Sequence, residues 1–86
     1  MFAAQNFEFE FAKIYPNFTK NLINLNGGLT YNEVKVCMLI RMAYSNKQIL
    51  KLMNISDSTL FNLRSGIRKK LNLDRDQSLF TLLSKL

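Results

Sequence analysis

The chain of 86 residues has no histidine, no tryptophan, one proline and a single cysteine. Histidine is the commonest catalytic base and metal ligand at neutral pH, so its absence argues against the usual acid–base and zinc sites. The six acidic residues are scattered, and Gly27-Gly28 lacks the pattern of a phosphate-binding loop. Cys37 lies in an apolar stretch and is expected to be a core side chain rather than a nucleophile. We therefore expect a protein that is not an enzyme and needs no metal or cofactor.

Long apolar runs are also missing. No stretch of about 18 uncharged apolar residues occurs, which predicts no membrane insertion. The N-terminal MFAAQNFEFEF has neither the basic start nor the small-residue cleavage site of a secretory signal. A lone cysteine, which cannot form a disulfide within the chain, is compatible with a reducing compartment. These features together predict a cytoplasmic protein.

Acidic residues are few in the second half of the chain. The formal net charge is +6, and residues 45–86 hold eight Lys/Arg against three acids, whereas residues 1–44 hold four against three. A basic half of this kind is typical of a protein that contacts a phosphate backbone. A basic amphipathic helix on an anionic membrane gives the same composition. The order of helix caps described next favours the nucleic-acid interpretation.

Three helix starts follow one another at short intervals. Thr30 and Glu33 have the spacing of a capping box, in which two side chains satisfy free amides at a helix N-terminus. Ser45 and Gln48 repeat that spacing with glutamine as the partner. Ser56 can cap a third helix. The sequence thus predicts an apolar helix ending near residue 44 and two further helices behind it.

The second and third of these helices form a recognisable pair. Asn46–Met53 is a short helix, Asn54-Ile55-Ser56 is a tight turn, and Asp57–Asn72 is a longer basic helix, the arrangement of a helix-turn-helix. The apolar residues of the longer helix recur every three or four positions and should face the core. They are Leu60, Leu63, Ile67 and Leu71.

The flanks complete a predicted all-α fold: a helix-turn-helix bundle of about four helices at residues 29–86, preceded by an aromatic-rich helical extension or linker at residues 1–28. Pro16 interrupts the extension and is expected at or near the first position of a second helical piece. The apolar stripe of the extension either covers the core, which we favour, or belongs to an interdomain coiled coil. It comprises Phe7, Phe11, Ile14, Phe18, Leu22 and Leu25.

The order and spacing of several motifs resemble the DNA-binding domain of LuxR/GerE-type transcription regulators. The matching elements cover about half of the chain: Leu29, Thr30 and Glu33; Ser45, Asn46, Lys47 and Ile49; Ile55, Ser56, Thr59 and Leu60; Lys70 and Leu71. A glycine is frequent before Ser-Asn-Lys in that family, and Tyr44 stands there here. The Arg-x-x-x-Arg-Lys-Lys-Leu segment looks more like a Bacteroidetes-type branch of response and sensor regulators. The resemblance implies the C-terminal output domain of a bacterial transcription regulator, whose final helix commonly dimerises.

Sequence-specific binding to double-stranded DNA is the predicted function. The recognition helix would read bases through Phe61, Asn62 and Ser65, although the two polar side chains are equally compatible with a solvated surface. The predicted phosphate contacts are Ser45, Asn46, Lys47, Thr59, Arg64, Arg68 and Lys69. No small-molecule substrate is expected. The role of Lys70 stays open.

Two further questions stay open at this level. The helix at Leu79–Leu86 either closes the core or serves self-association on DNA. The alternative function is a helix-turn-helix that docks on a protein, such as polymerase or a partner subunit, which the aromatic residues favour and the cationic cluster disfavours.

Overall fold

The computed structural model describes the backbone of residues 4–86 and the side chains from residue 7 onwards. Within that range the chain is helical, with no β-strand, which confirms the predicted all-α fold. The helices are α1 (Ala4–Ile14), α2 (Phe18–Leu25), α3 (Tyr31–Arg41), α4 (Asn46–Met53), α5 (Asp57–Lys70) and α6 (Leu79–Leu83).

The starts of α3, α4 and α5 lie where the side-chain caps were predicted. Thr30 Oγ1 accepts a hydrogen bond from the Glu33 amide at 3.1 Å, and the Glu33 carboxylate accepts one from the Thr30 amide at 2.8 Å. Ser45 and Gln48 form the same reciprocal pair. Ser56 Oγ accepts from the backbone amide three residues later, at 3.2 Å. Each cap satisfies amides that a helix start leaves unpaired.

The same three helices end in left-handed residues, none of which is glycine. Ala43, Asn54 and Asn72 have φ values of 65°, 54° and 56°. At the end of α3 the Tyr44 amide donates to the Leu39 carbonyl at 3.1 Å, the long bond of a Schellman motif. The left-handed turn ends α3 at Arg41, earlier than the predicted end near residue 44. The positive φ lies at Ala43, one position before Tyr44.

Pro16 is placed differently from the prediction. The first helix ends at Ile14, and the first residue of the second is Phe18, not Pro16, with Asn17 as its N-cap. The Phe18 amide donates to the Tyr15 carbonyl at 3.2 Å, which makes Pro16 the second residue of a tight turn. Proline suits that position because its ring already fixes φ near the required value. The interruption near Pro16 was predicted correctly, but the placement of Pro16 at the start of the second helix was wrong.

The core draws on helices from both flanks of the helix-turn-helix. Phe11, Phe18 and Leu22 are buried with the apolar side of α3, α5 and α6. The Phe11 and Phe18 rings meet edge to face with centroids 5.2 Å apart. The extension therefore covers the core, but only with part of its stripe. Ile14 and Leu25 were predicted to share that face, and they are 60% and 53% exposed because each lies at a helix end, where the chain turns away.

The α3 and α5 helices approach each other closely at Gly66. A Cβ built at Gly66 would lie 2.5 Å from Glu33 Oε2, so a larger residue there would require the Glu33 carboxylate to move. Glu33 is only 5% exposed, and the Lys70 ammonium donates to its Oε1 at 2.6 Å. Burial by itself raises the pKa of Glu33, but the hydrogen bonds from Lys70 and Thr30 outweigh it and leave the pKa below its ordinary value.

Polar side chains also attach the N-terminal extension to the rest of the molecule. The Asn26 side chain donates to the Lys70 carbonyl at 2.7 Å and accepts from the Gly28 amide at 2.7 Å. Asn21 donates to the Leu86 carbonyl at 2.9 Å. Lys70 additionally donates to the Gly28 carbonyl at 3.0 Å. The last carbonyl of α5, which its own helix leaves unpaired, is thus satisfied by a different segment.

Candidate nucleic-acid interface

Helices α4 and α5 pack together through their apolar sides, and the chain turns between them at Asn54. Ile49 of α4 and Leu60 and Ile67 of α5 are buried in the core. The left-handed Asn54 ends α4, and the Ile55 amide donates back to a carbonyl of α4 at 3.2 Å. Since the apolar sides of both helices face inward, their polar residues are presented together on the outside.

A groove of about 410 Å³ lies between the start of α4 and the outer side of α5. Half of the predicted contact residues line it: Asn46, Phe61, Arg64, Ser65 and Arg68. Leu60 and Asp57, which were not among the predicted contacts, line it as well. The structure therefore brings predicted base readers and predicted phosphate contacts to one concave surface, which we call the α4–α5 groove.

The other predicted contacts lie outside this groove. Asn62, Lys47 and Lys69 are exposed. Ser45 accepts a hydrogen bond as the cap of α4. Thr59 Oγ1 accepts from the Ser56 hydroxyl at 3.0 Å, next to the cap of α5. The two hydroxyl residues thus have a structural role at helix starts in addition to any contact with a ligand.

Two arginines give the groove its positive charge. In the part of the chain that the structure describes, neither Arg64 nor Arg68 has a carboxylate within salt-bridge distance. Burial and the neighbouring Arg68 charge both lower the pKa of the half-buried Arg64. Arg68 donates to the Asp74 carbonyl at 2.6 Å and, at the longer distance of 3.5 Å, to the Arg75 carbonyl. Arg64 is consequently the less restrained of the two cations.

Phe61 is the least expected surface residue of the groove. Its side chain is 70% exposed, although it follows the buried Leu60 directly in the sequence. An aromatic ring on the outer side of a helix carries an apolar surface that burial against a partner would stabilise. The ring lies beside Arg64 and Ser65 along the same groove. An apolar contact and cationic contacts are thus available together.

Asp57 is the groove residue that the sequence reasoning missed. It was interpreted only as a favourable charge in the first turn of α5. The spacing of four residues between Asp57 and Phe61 is the signal that would have found it, since residues four apart share one side of a helix.

The described residues give no support for two other kinds of site, a reactive thiol and a metal centre. Burial raises the pKa of the Cys37 thiol to about 12, with the Glu33 charge adding to the effect. A thiol that stays protonated inside the core is a packing residue and not a nucleophile. No group of three or more Cys, Asp or Glu suited to a metal occurs among the residues that the structure covers.

Comparisons with known proteins give no match, so the functional interpretation rests on the geometry of the groove. No family model, curated protein or solved structure matches the chain. Over residues 4–86, no helix has the combination of length and apolar character needed to cross a lipid bilayer.

Proposed function

We propose that the chain binds double-stranded DNA sequence-specifically and acts as the C-terminal output domain of a cytoplasmic bacterial transcription regulator. The observation that supports it best is the pair of arginines, Arg64 and Arg68, which line an exposed groove of a helix-turn-helix and, among the described residues, have no carboxylate within salt-bridge distance. In this proposal α4 crosses the phosphate backbone and α5 enters the major groove.

The residues divide into two roles. One group contacts phosphates and sets the register of the protein on the duplex. It consists of Arg64, Arg68, Lys69 and Thr59 of α5 and of Ser45, Asn46 and Lys47 at the start of α4. Phe61, Asn62 and Ser65 face the bases. Asn62 pairs with an adenine edge, and the exposed Phe61 ring contacts a thymine methyl. Phosphates are the same at every step of a duplex, whereas base edges are not, so the two roles predict different responses to substitution.

Arg64→Ala and Lys69→Ala test the phosphate role. Each should weaken binding to cognate and random duplexes by similar factors and lower the slope of log affinity against log salt by about one unit. Binding is measured by fluorescence anisotropy at two salt concentrations. Lys85→Ala removes the same charge from an exposed position that follows α6 and belongs to neither α4 nor α5, and it should leave the slope unchanged. If all three variants changed the slope equally, α5 would not be the binding surface.

Asn62→Ala tests base reading. On a site selected from random duplexes it should cost about 1–3 kcal/mol, and on random DNA it should cost little. An equal loss on both duplexes would mean that the side of α5 facing the DNA is assigned incorrectly.

A protein-docking function is the second candidate, and the 70% exposure of Phe61 is the observation that favours it. In that case the affinity for duplex DNA would depend only weakly on salt concentration, and none of the arginine or asparagine substitutions would affect it. Phe61→Ala would instead abolish capture of the protein partner. Salt dependence on random duplex DNA separates the two candidates in one titration.

We also propose self-association on DNA through the segment Leu79–Leu86. Leu79 and Leu83 are buried in the chain's own core, and the exposed large apolar side chain of the segment is Phe80, which is 43% exposed. The free chain should therefore sediment as a monomer or weak dimer at micromolar concentration. A stable dimer that persists in Phe80→Ser would place the interface elsewhere, on the Phe7–Leu25 extension.

A further inference from the structure

Asp57 occupies an unexpected position for a carboxylate in a cationic groove. It is exposed, and it lines the α4–α5 groove together with Phe61, Arg64 and Ser65. Within residues 7–86 its carboxylate has no hydrogen-bond or ion-pair partner. The arginines of the same groove do not neutralise it, so the carboxylate is available to a ligand.

The position along α5 indicates which part of a duplex Asp57 would meet. Asp57 is the first residue of α5 and lies one helical turn before Phe61 on the same side. In a helix-turn-helix the N-terminal residues of the recognition helix are the ones that reach base edges. An anion there is repelled by phosphates, but it accepts a hydrogen bond from an exocyclic amino group. The major-groove donors are cytosine N4 and adenine N6, but adenine N6 stands beside the N7 acceptor, which a carboxylate disfavours, so cytosine N4 is the donor that suits Asp57.

We infer that Asp57 is a specificity-determining residue that accepts a hydrogen bond from cytosine N4 and lowers affinity for sites lacking that amino group. The inference rests on the proposed DNA-binding function. Guanine O6 and thymine O4 present acceptor oxygens at the corresponding edge, so the carboxylate repels them. The role differs from that of a helix-dipole charge, which stabilises α5 without regard to the base sequence.

Parallel selections from random duplexes with the wild-type chain, Asp57→Ala and Asp57→Asn test the inference. The wild-type site should contain one strongly required cytosine, and replacing that base pair should weaken binding about 5- to 100-fold. In Asp57→Ala the cytosine requirement should disappear while the rest of the site persists, and in Asp57→Asn it should weaken, because the amide keeps one acceptor oxygen but replaces the other with a donor and loses the charge. Asp57→Asn keeps the side-chain shape, so it preserves the test if alanine disturbs the start of α5.

Asp76→Ala is the matched control for charge. Asp76 is also exposed but lies outside the groove. Asp57→Ala should raise affinity for random duplex DNA more than Asp76→Ala does, because Asp57 lines the groove with Arg64 and Arg68 and Asp76 does not. If both Asp57 variants select the wild-type site with the same cytosine requirement, or if the wild-type site has none, the inference is overturned while DNA binding stands. If the wild-type chain shows no salt-dependent duplex binding, the proposed function itself fails.

Discussion

Gly66→Ala should destabilise the protein, although alanine is the better helix former. In an ordinary helix interior this change stabilises by about 1 kcal/mol. Here the new Cβ would lie 2.5 Å from Glu33 Oε2, and the carboxylate cannot simply swing away. It is buried, and it accepts hydrogen bonds from Lys70 at 2.6 Å and from the Thr30 amide at 2.8 Å.

The magnitude follows from these contacts. A hydrogen bond to a charged group contributes about 1.5–3 kcal/mol, and moving the carboxylate weakens at least one of them. Subtracting the helix-propensity gain leaves a net loss of about 0.5–2 kcal/mol in the free energy of unfolding. For a domain of this size that corresponds to a melting temperature lower by roughly 2–16 °C.

A double-mutant cycle makes the reasoning refutable. Glu33→Ala removes the obstructing carboxylate, so in that background Gly66→Ala should instead stabilise by about 1 kcal/mol. Urea unfolding followed by far-ultraviolet circular dichroism measures all four chains. If Gly66→Ala has the same sign in both backgrounds, the close approach of α3 to α5 is not what requires the glycine.

Three further outcomes are expected from the caps, the helix ends and the buried ion pair. Ala43→Gly should stabilise by about 1 kcal/mol in urea unfolding, since glycine relieves a φ of 65°; Asn72→Gly should change stability much less, because asparagine tolerates that conformation. Ser56→Ala should cost about 1 kcal/mol in the same assay, and a loss of only a tenth of that would mean α5 does not depend on its cap. Because the folded-state pKa of Glu33 is lowered, the ionised carboxylate contributes fully to the free energy of unfolding above the unfolded-state pKa, and this contribution is lost as pH falls through the folded-state pKa. Glu33→Gln should therefore make the free energy of unfolding fall less steeply as pH is lowered. An unchanged fall would mean that other carboxylates cause the acid sensitivity.

Local chemistry explains why the helix starts could be predicted. Thr30, Ser45 and Ser56 each accept from the amide three residues later, so both partners of a cap lie close together in the sequence. Helix ends were less predictable. Asn54 and Asn72 tolerate left-handed backbone, but Ala43 carries no such signal and adopts it because the chain must turn there.

Contacts between distant residues account for what the sequence did not predict. The ion pair of Lys70 with Glu33 joins residues 37 positions apart, and the need for Gly66 arises only where two helices meet. The groove followed the predicted side of α5 in part: Phe61, Arg64 and Ser65 share it, whereas Asn62 does not. Helical spacing predicts which residues share one helix side, but the facing element, here the start of α4, decides where along that side a groove forms.

The hydrogen bond from Asn26 to the end of α5 bears on how this protein can be dissected. The motif that resembles a DNA-binding domain begins at Leu29, yet residues 29–86 do not enclose the core by themselves, since Phe11, Phe18 and Leu22 complete it. A shortened chain starting at Leu29 would expose that apolar surface and leave the Lys70 carbonyl without its Asn26 partner. Fusion proteins and crystallisation fragments should therefore retain the aromatic extension, and a failure of residues 29–86 alone to bind DNA would report a damaged fold.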